Sequence, residues 1–470
     1  MGIATLGSLA AATVQLRQIA AMPILASVRP RAWQMHAGRA LRVKASAAFI
    51  LMIGAVALGL FGSGLIAGFA LLACFLIGAA LALPVLIHPF LVFAQNHART
   101  AVACWFWADT RQQIPKLSLA LMALLLAISA NVGVVTMVSS FRLTFVAFLD
   151  QRLAPELYVQ VLEATQAVAI ETQLPELGAT VLPLLSHDTE VAGQPTRLFG
   201  VRVGPTYREN WVFLEGLPDA WDRVRDGTAA VANEQLARRA GLWVGDSVML
   251  TQDHRITIAA VVADYGNPLG QLVVDEALFH TLHPQIEARQ FGVRTDDPAA
   301  LRRILISDLG LADSAITNQS ALKDISLQVF DRTFTVTSAL NVLTLAVAGF
   351  AMLMSLLTLT DLRVPQLAPV WALGMTRRRI GQLELMRTVV FAALVCLFAL
   401  PVGLGLAWVL LTIVNVEAFG WRLPMFLFPL DYLRLFVLAI LAAIAAAFWP
   451  AVRLMCLPPA QLLKVFANER

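Results

Sequence analysis

Apolar residues recur along this chain in six stretches, each long enough for a helix to cross a bilayer, which takes about 20 residues. Residues 45–98 hold no Lys, Arg, Asp or Glu. That run is too long for one span, and the break at Gly62-Ser63-Gly64 divides it into two. A third span is predicted at 117–141, a fourth at 333–360, a fifth at 388–416 and a sixth at 431–455. None alternates with the two-residue period of a barrel strand, and backbone in lipid must satisfy its own hydrogen bonds, so all six are predicted to be helices. Between the third and fourth the rhythm changes. Residues 142–332 mix short strand-like runs (Val159–Val161, Leu198–Val203, Ser247–Thr251, Ile256–Ala263) with helical segments at Asn233–Ala240 and Pro298–Leu309. The fold class is therefore a polytopic α-helical membrane protein carrying one large α+β domain.

Charge gives the arrangement a direction. Of 31 acidic and 35 basic side chains in 470 residues, residues 142–332 hold 25 and 16, a balance of −9 against +13 elsewhere. Basic residues gather before the first span (Arg29, Arg31, Arg39, Arg42, Lys44), between the second and third (Arg99, Arg111, Lys116), between the fourth and fifth (Arg363, Arg377, Arg378, Arg379, Arg387) and after the sixth (Arg453, Lys464, Arg470). By the positive-inside rule these segments and both termini are cytoplasmic, and residues 142–332 are extracytoplasmic. The expected layout is a cytosolic or interfacial segment at 1–44, two helices in 45–98, a cytoplasmic loop at 99–116, a cytoplasmic segment at 361–387, an outer loop at 417–430 and a cytoplasmic tail at 456–470. With 58% hydrophobic and 14% charged residues, the composition argues for a lipid bilayer and against nucleic-acid binding. The four cysteines, Cys74, Cys104, Cys396 and Cys456, all lie outside 142–332, so that domain has no disulfide framework.

Several chemistries are missing. No GxxxxGK[ST] phosphate loop occurs, so the chain is not expected to bind ATP, hold a cofactor or act as an enzyme by itself. HExxH and GxSxG are absent too. The polar residues within the spans are chiefly His88, Asn131, Asn341 and Asn415, with no carboxylate at membrane depth of the kind a proton-driven transporter uses. His280 and His283 stand at i, i+3 without a third ligand, which reads as solvated helix surface and predicts no metal site. Asn131 is expected to hydrogen-bond between helices, and Gly403 and Gly405 to permit close helix packing.

The segment 361–387 carries the most information. Val364–Met375 reads as an apolar helix ending at Gly374, lying flat at the inner face, and Thr376 caps a new helix bearing Arg377, Arg378 and Arg379. Anchoring by positive charge explains the arginines but not the apolar helix, which offers a surface for a cytosolic partner.

Three stretches then bring a family into view. Val370-Trp371-Ala372-Leu373-Gly374-Met375-Thr376-Arg377-Arg378 resembles the "ALGAS-RR" coupling segment of the FtsX-like/MacB-like ABC transporter permeases. Val231–Asp246 resembles that family's "V-x-N-E-x-LA-x-x-x-GL-x-VGD" stretch, and Pro458–Leu463 its ending after the last span. The two leading spans and Asp264–Gln271 look closest to the second half of YbbP-type permeases, with residues 1–26 similar to the last turns of a first permease half. The permease module would cover residues 117–455, with 142–332 as a MacB-periplasmic-like domain. The resemblance implies a non-catalytic subunit of the bacterial inner membrane, coupled to a cytosolic ATPase that binds the ATP. Its implied ATPase-coupling residues are Gln366, Trp371, Ala372, Leu373, Gly374, Met375, Arg377, Arg378 and Arg379, with Gln366 where the family pattern has Glu. A homodimer or a second permease half would complete the membrane part, and a periplasmic protein is a further expected partner. The implied activity is extraction or export of hydrophobic, lipid-like or lipoprotein substrates. The alternative is an FtsX-type signalling module that regulates a periplasmic enzyme or senses a compound.

Overall fold

The structure is a computed structural model and describes residues 30–251 and 254–456, together with Thr13 and Pro458. Residues 1–29 of the expected cytosolic or interfacial segment, and the tail motif at Pro458–Leu463, otherwise lie outside the described residues. Three long helices come first: α1 (Pro30–Phe61), α2 (Leu65–Asn96) and α3 (Ala101–Arg152). Residues 99–116, expected as a loop, are helical from Ala101 onward. Thr100 supplies the N-cap, its hydroxyl accepting from the Ala103 amide at 3.2 Å, and the helix then runs without a break to Arg152. Residues 30–44 likewise continue directly into the first span as part of α1.

Strand β1 (Leu157–Gln160) opens the globular domain, followed by β2 (Thr180–Val191), β3 (Gln194–Val201), β4 (Phe213–Gly216), β5 (Ala229–Asn233), β6 (Ser247–Thr251), β7 (His254–Val262), β8 (Gly270–Asp275), β9 (Gln290–Arg294) and β10 (Ile316–Asn318). They form one mixed sheet in the order β10-β1-β9-β2-β3-β8-β5-β7-β4, with β6 paired to β7. Six helices accompany it: α4 (Ala164–Glu176), α5 (Pro205–Asn210), α6 (Ala220–Arg225), α7 (Glu234–Ala240), α8 (Glu276–Leu282) and α9 (Pro298–Ser307). Side-chain alternation along the strands decides what each face packs against. On one face Ile170 and Leu174 of α4 and Leu301 and Leu305 of α9 meet Leu157, Val159, Val181 and Val293. Further along that face, Leu236 of α7 and Phe279 of α8 meet Leu198, Ala230, Ile258 and Leu272. The opposite face is covered by Tyr207 of α5 and by Trp221 and Val224 of α6 over Val231, Ala260 and Val273. Over β1, β9 and β2 that second face borders a cavity instead.

After β10 the chain enters α10 (Gln319–Ala372), then α11 (Arg377–Val409), a π-helical turn at Leu410–Val414, α12 (Asn415–Phe419) and α13 (Pro429–Met455). Among the described residues six helices, α12 excluded, are long and apolar enough to cross a membrane. The bundle core joins Leu121, Leu124 and Ile128 of α3 to Phe391 and Val395 of α11, Met352 of α10 and Ala443 of α13. Facing lipid instead are side chains such as Phe49, Ile50, Val342 and Leu441, each more than half exposed. Asn131 does bridge helices, donating to the Asn341 carbonyl at 3.2 Å, and Ser129 donates to the Ala399 carbonyl at 3.2 Å.

The two glycines of the fifth span face different neighbours. A Cβ on Gly403 would stand 2.6 Å from Val132 and 2.8 Å from the Ser129 carbonyl oxygen of α3, whereas one on Gly405 would meet the tip of the Phe75 ring of α2 at 2.8 Å. A ring tip can turn aside but a helix carbonyl cannot. Gly403→Ala is therefore expected to destabilise the bundle by about 1–3 kcal/mol, and Gly405→Ala by less. Thermal unfolding of the two variants in detergent, side by side, checks the order.

Candidate functional site

At 1.5 Å rise per residue, the 54 residues of α10 span about 80 Å, and its last turns form the end of the bundle remote from the sheet. The residues singled out by sequence gather at this apex. Helix α10 stops at Ala372, Gly374 turns the chain with φ +100°, and Thr376 caps α11, its hydroxyl accepting from the Arg379 amide at 3.4 Å. The positive φ is one glycine adopts without strain. The separate helix lying flat that was expected over Val364–Met375 does not form: 364–372 are the uninterrupted end of α10, and 373–375 make the turn. The reason lies in packing: Leu367 and Ala368 are buried, and Leu367 sits with Ile380 of α11, Leu454 of α13 and Trp105 of α3, so the helix stays on the bundle. Trp371 and Met375 also turn inward to this cluster. Gln366, Ala372, Gly374, Arg378 and Arg379 are exposed, Arg377 is half-buried, and Leu373 projects with 90% of its surface free. The nine residues thus divide into an inward-packed pair and a polar apex with one leucine at its tip.

Just inside the apex lies a buried ionic cluster that no local sequence pattern announces. Arg363 of α10 pairs with Asp109 of α3 at 2.7 Å and with Glu384 of α11. Arg387 of α11 pairs with Glu384 at 2.6 Å and with Asp109. Around them Gln113 donates to Asp109 at 3.2 Å, and Arg387 Nε donates to the Thr110 hydroxyl at 3.1 Å. Arg387 is only 2% exposed. Two guanidinium groups and two carboxylates cancel in charge and tie three helices at one level. Such a cluster holds only while complete, since an unpartnered charge left in place is far more costly than the pair itself. Arg363 and Arg387, expected from the sequence to be positive-inside anchors, are interior partners instead. A signal existed: outside 142–332 the chain has six acidic residues, and two of them, Asp109 and Glu384, are here.

The second family-like motif builds a joint between the globular domain and the α12–α13 loop. The motif's Asn233 side chain caps α7 by accepting from the Leu236 amide at 3.0 Å, and it also accepts from the Gln271 amide at 2.9 Å. Its amide nitrogen donates to Asp264 and to the Leu269 carbonyl, pinning Asp264–Gln271 against the motif. Glu234, 3% exposed, pairs with Arg238 at 2.7 Å and accepts the backbone amide of Arg422 at 3.2 Å. Arg239 donates to the carbonyls of Pro268 (2.6 Å) and Phe419 (3.3 Å). Tyr265 meets Trp421 edge-on at 5.4 Å, and Trp421 packs on Phe141 of α3. Burial here pushes the Tyr265 phenol up to about 12. The motif residues are structural, then, and they seat the domain on the membrane bundle.

The two longest helices meet the sheet directly. Four residues separate α3 from β1, and none separates β10 from α10. Strands β1 and β10 pair antiparallel, Leu157 opposite Asn318. Below them Arg142 pairs with Asp331 at 3.0 Å, Lys323 with Asp150, and Phe141, Phe145 and Phe330 pack together. His283, elsewhere in the domain, lies 4.2 Å from the His187 ring, and burial lowers its pKa. Among the described residues no group of three or more His, Cys, Asp or Glu is placed to hold a metal ion.

Comparison with known proteins follows the same division. The model of the FtsX-like permease C-terminal family matches residues 338–459, and that of the MacB-like periplasmic core domain matches 117–305. An uncharacterized ABC transporter permease protein of Mycobacterium tuberculosis is 27% identical over 379 residues, 73% of this chain and 43% of the relative. The chain thus spans less than half the length of that curated relative. The solved periplasmic region of MacB from Actinobacillus actinomycetemcomitans is 16% identical, covering 37% of this chain and 92% of its own, with a TM-score of 0.26. The extracellular domain of the noncanonic ABC-type transporter YknZ from Gram-positive bacteria is 11% identical, covering 35% and 98%, also at 0.26.

Proposed function

We propose that the chain, whose residues 338–459 match the FtsX-like permease C-terminal family and 117–305 the MacB-like periplasmic core domain, is an ABC transporter permease that works as a lever rather than a channel. A separate cytosolic ATPase docks on the apex formed by Gln366, Leu373, Gly374, Arg378 and Arg379, with Trp371, Ala372, Met375 and Arg377 shaping and supporting it. The observation that carries this reading is the continuity of α3 and α10, which join the apex to two adjacent strands of the sheet without an intervening flexible segment. Displacement of such helices at one end must move the strands at the other. The ionic cluster of Asp109, Arg363, Glu384 and Arg387 keeps α3, α10 and α11 moving together, and the Glu234–Arg422 joint gives the domain a second point of support.

In this reading the apex and both termini face the cytoplasm across a bacterial inner membrane, in keeping with the distribution of arginines. A second copy or a second permease half completes the membrane part, and ATP remains with the partner. The work performed outside is extraction or export of hydrophobic, lipid-like or lipoprotein substrates. An FtsX-type signalling role, in which the same motion regulates a periplasmic protein, uses identical parts and differs only in what the domain contacts.

The docking assignment is tested by reversing the exposed charges. The double substitution Arg378→Glu, Arg379→Glu is expected to reduce stimulation of the ATPase in reconstituted vesicles by roughly fivefold or more, while insertion and thermal unfolding stay unchanged. Full stimulation by the variant would remove the apex from the mechanism.

A further inference from the structure

The cavity over β1, β9 and β2 has a volume of about 500 Å³, within the range of roughly 300–1,000 Å³ in which small-molecule sites fall. Its wall is mainly apolar: Leu184 and Phe199, together with Leu182, Val201 and Val273 at the edge of the cluster under α5 and α6, line it from the sheet. Beside this apolar space the fold places a guanidinium that has no ion-pair partner among the described residues and a buried hydroxyl that has no hydrogen-bond partner among them. Arg152, the last residue of α3, lies with its guanidinium carbon 3.5 Å from the centre of the Trp211 ring and donates to the Ala263 carbonyl at 3.1 Å. No carboxylate among the described residues is in ion-pair contact with it; Asp264, the nearest acidic influence, is engaged by Asn233 and Asn267. The Tyr158 hydroxyl is buried and has no hydrogen-bond partner among the described residues. Burial raises the Tyr158 phenol well above its ordinary range and pushes neighbouring Tyr207 up to about 12, so both stay protonated donors. Gln271 and Gln290 add polar groups to the same wall.

A buried hydroxyl without a partner keeps its full desolvation cost, and a cation facing apolar walls is stabilised by an anion that follows it out of water. We propose that this cavity binds an amphiphile with an acidic head group, the head group held by Arg152 and the Tyr158 hydroxyl and the hydrocarbon lying on the Leu182–Phe199–Val273 surface. The proposal deepens the lever reading by giving the moving domain a ligand class. The position matters as much as the chemistry. Ala154, Pro155 and Leu322 also line the cavity, so an occupant touches the two junctions where α3 and α10 meet the sheet. Gly292 in β9 keeps one junction tight, since a Cβ there would stand 2.6 Å from Pro155.

The test uses the full chain in lipid nanodiscs without any ATPase, so its outcome is independent of docking at the apex. The probe is a hexadecanoic acid carrying a photoreactive diazirine, mapped by mass spectrometry after irradiation. Labelling is expected within 154–160, 182–201 and 206–211, with competition by excess hexadecanoic acid. Two variants locate it. Arg152→Gln, which keeps a donor for Ala263, should reduce labelling by the acid roughly tenfold, as loss of a charge-assisted hydrogen bond does, and leave labelling by the matching long-chain alcohol unchanged. Leu184→Trp, at a half-open position of the wall, should reduce labelling by both while thermal unfolding remains that of the parent. A phosphate-headed single-chain lipid as competitor separates the sources of the acid group: stronger competition than by the carboxylate assigns the site to lysophospholipid-like ligands, and weaker competition to fatty acids. Labelling confined to the membrane helices, or insensitive to Leu184→Trp, overturns the proposal. So does cross-linking of two chains through this face, which would make it an interface between copies.

Discussion

Replacing Arg387 by methionine is expected to lower the stability of the folded chain by about 3–5 kcal/mol, the effect of breaking a buried ion pair by removing one partner. Asp109 and Glu384 would then share Arg363 alone, at 13% and 7% exposure. Half the compensating charge would be gone, and Thr110 would lose the donor it now accepts from. The comparison that makes the result decisive is Arg378→Met, an equal loss of charge at an exposed position, where the expected change stays within about 0.5 kcal/mol. A double substitution, Arg387→Met with Glu384→Leu, removes one charge of each sign and should recover part of the loss, a coupling of about 0.5–3 kcal/mol. Thermal unfolding in detergent of the parent, these three variants and the Glu384→Leu single that completes the cycle reads all of this. Equal midpoints for Arg387→Met and Arg378→Met would mean that the cluster does not hold the three helices together.

The second large effect is expected at the joint. Glu234→Ala leaves the Arg422 amide without its acceptor and Arg238 without its ion-pair partner. Each part-buried donor left unpaired costs about 1 kcal/mol, and the loss falls on one contact between the domain and the α12–α13 loop. Amide exchange at 420–423 should therefore quicken by roughly tenfold or more, while exchange within β5 and β8 stays slow. In the lever reading the same variant also weakens the response of the domain to ATP hydrolysis, with docking at the apex intact. Uniform quickening across the sheet would instead mean that Glu234 matters to the fold of the domain, and the joint would lose its assignment.

The particular residues show why some of this was legible in sequence and some was not. Thr376, Gly374 and the arginines after them were readable because a helix stop and a helix start are local: a left-handed turn calls for glycine and an N-cap for a short hydroxyl side chain. Whether the preceding helix stays joined to its membrane span was not readable. That depends on Leu367 finding Ile380, Leu454 and Trp105, three contacts from three different helices. The same limit hid the ionic cluster. Arg363 and Asp109 lie 254 positions apart, and nothing in the neighbourhood of either announces the other. The Asn233–Glu234 motif was visible as a pattern, but its task was not, since its partners Asp264, Leu269 and Arg422 lie 31, 36 and 188 positions away.

By itself the sequence determined the six membrane helices, the polar α+β domain between the third and fourth, and the expected orientation of the whole. Bilayer thickness, the absence of water in lipid and the sign of the flanking charges act on runs of adjacent residues, so they leave their mark in the order of the chain. Only the tertiary structure decided that α3 and α10 run unbroken from apex to sheet, that four charges from three helices cancel inside the bundle, and that part of one sheet face borders a cavity beside Arg152 and Tyr158. These features arise from packing between segments far apart in sequence. The same arginine is an anchor in water or a partner in the interior according to what folding places beside it.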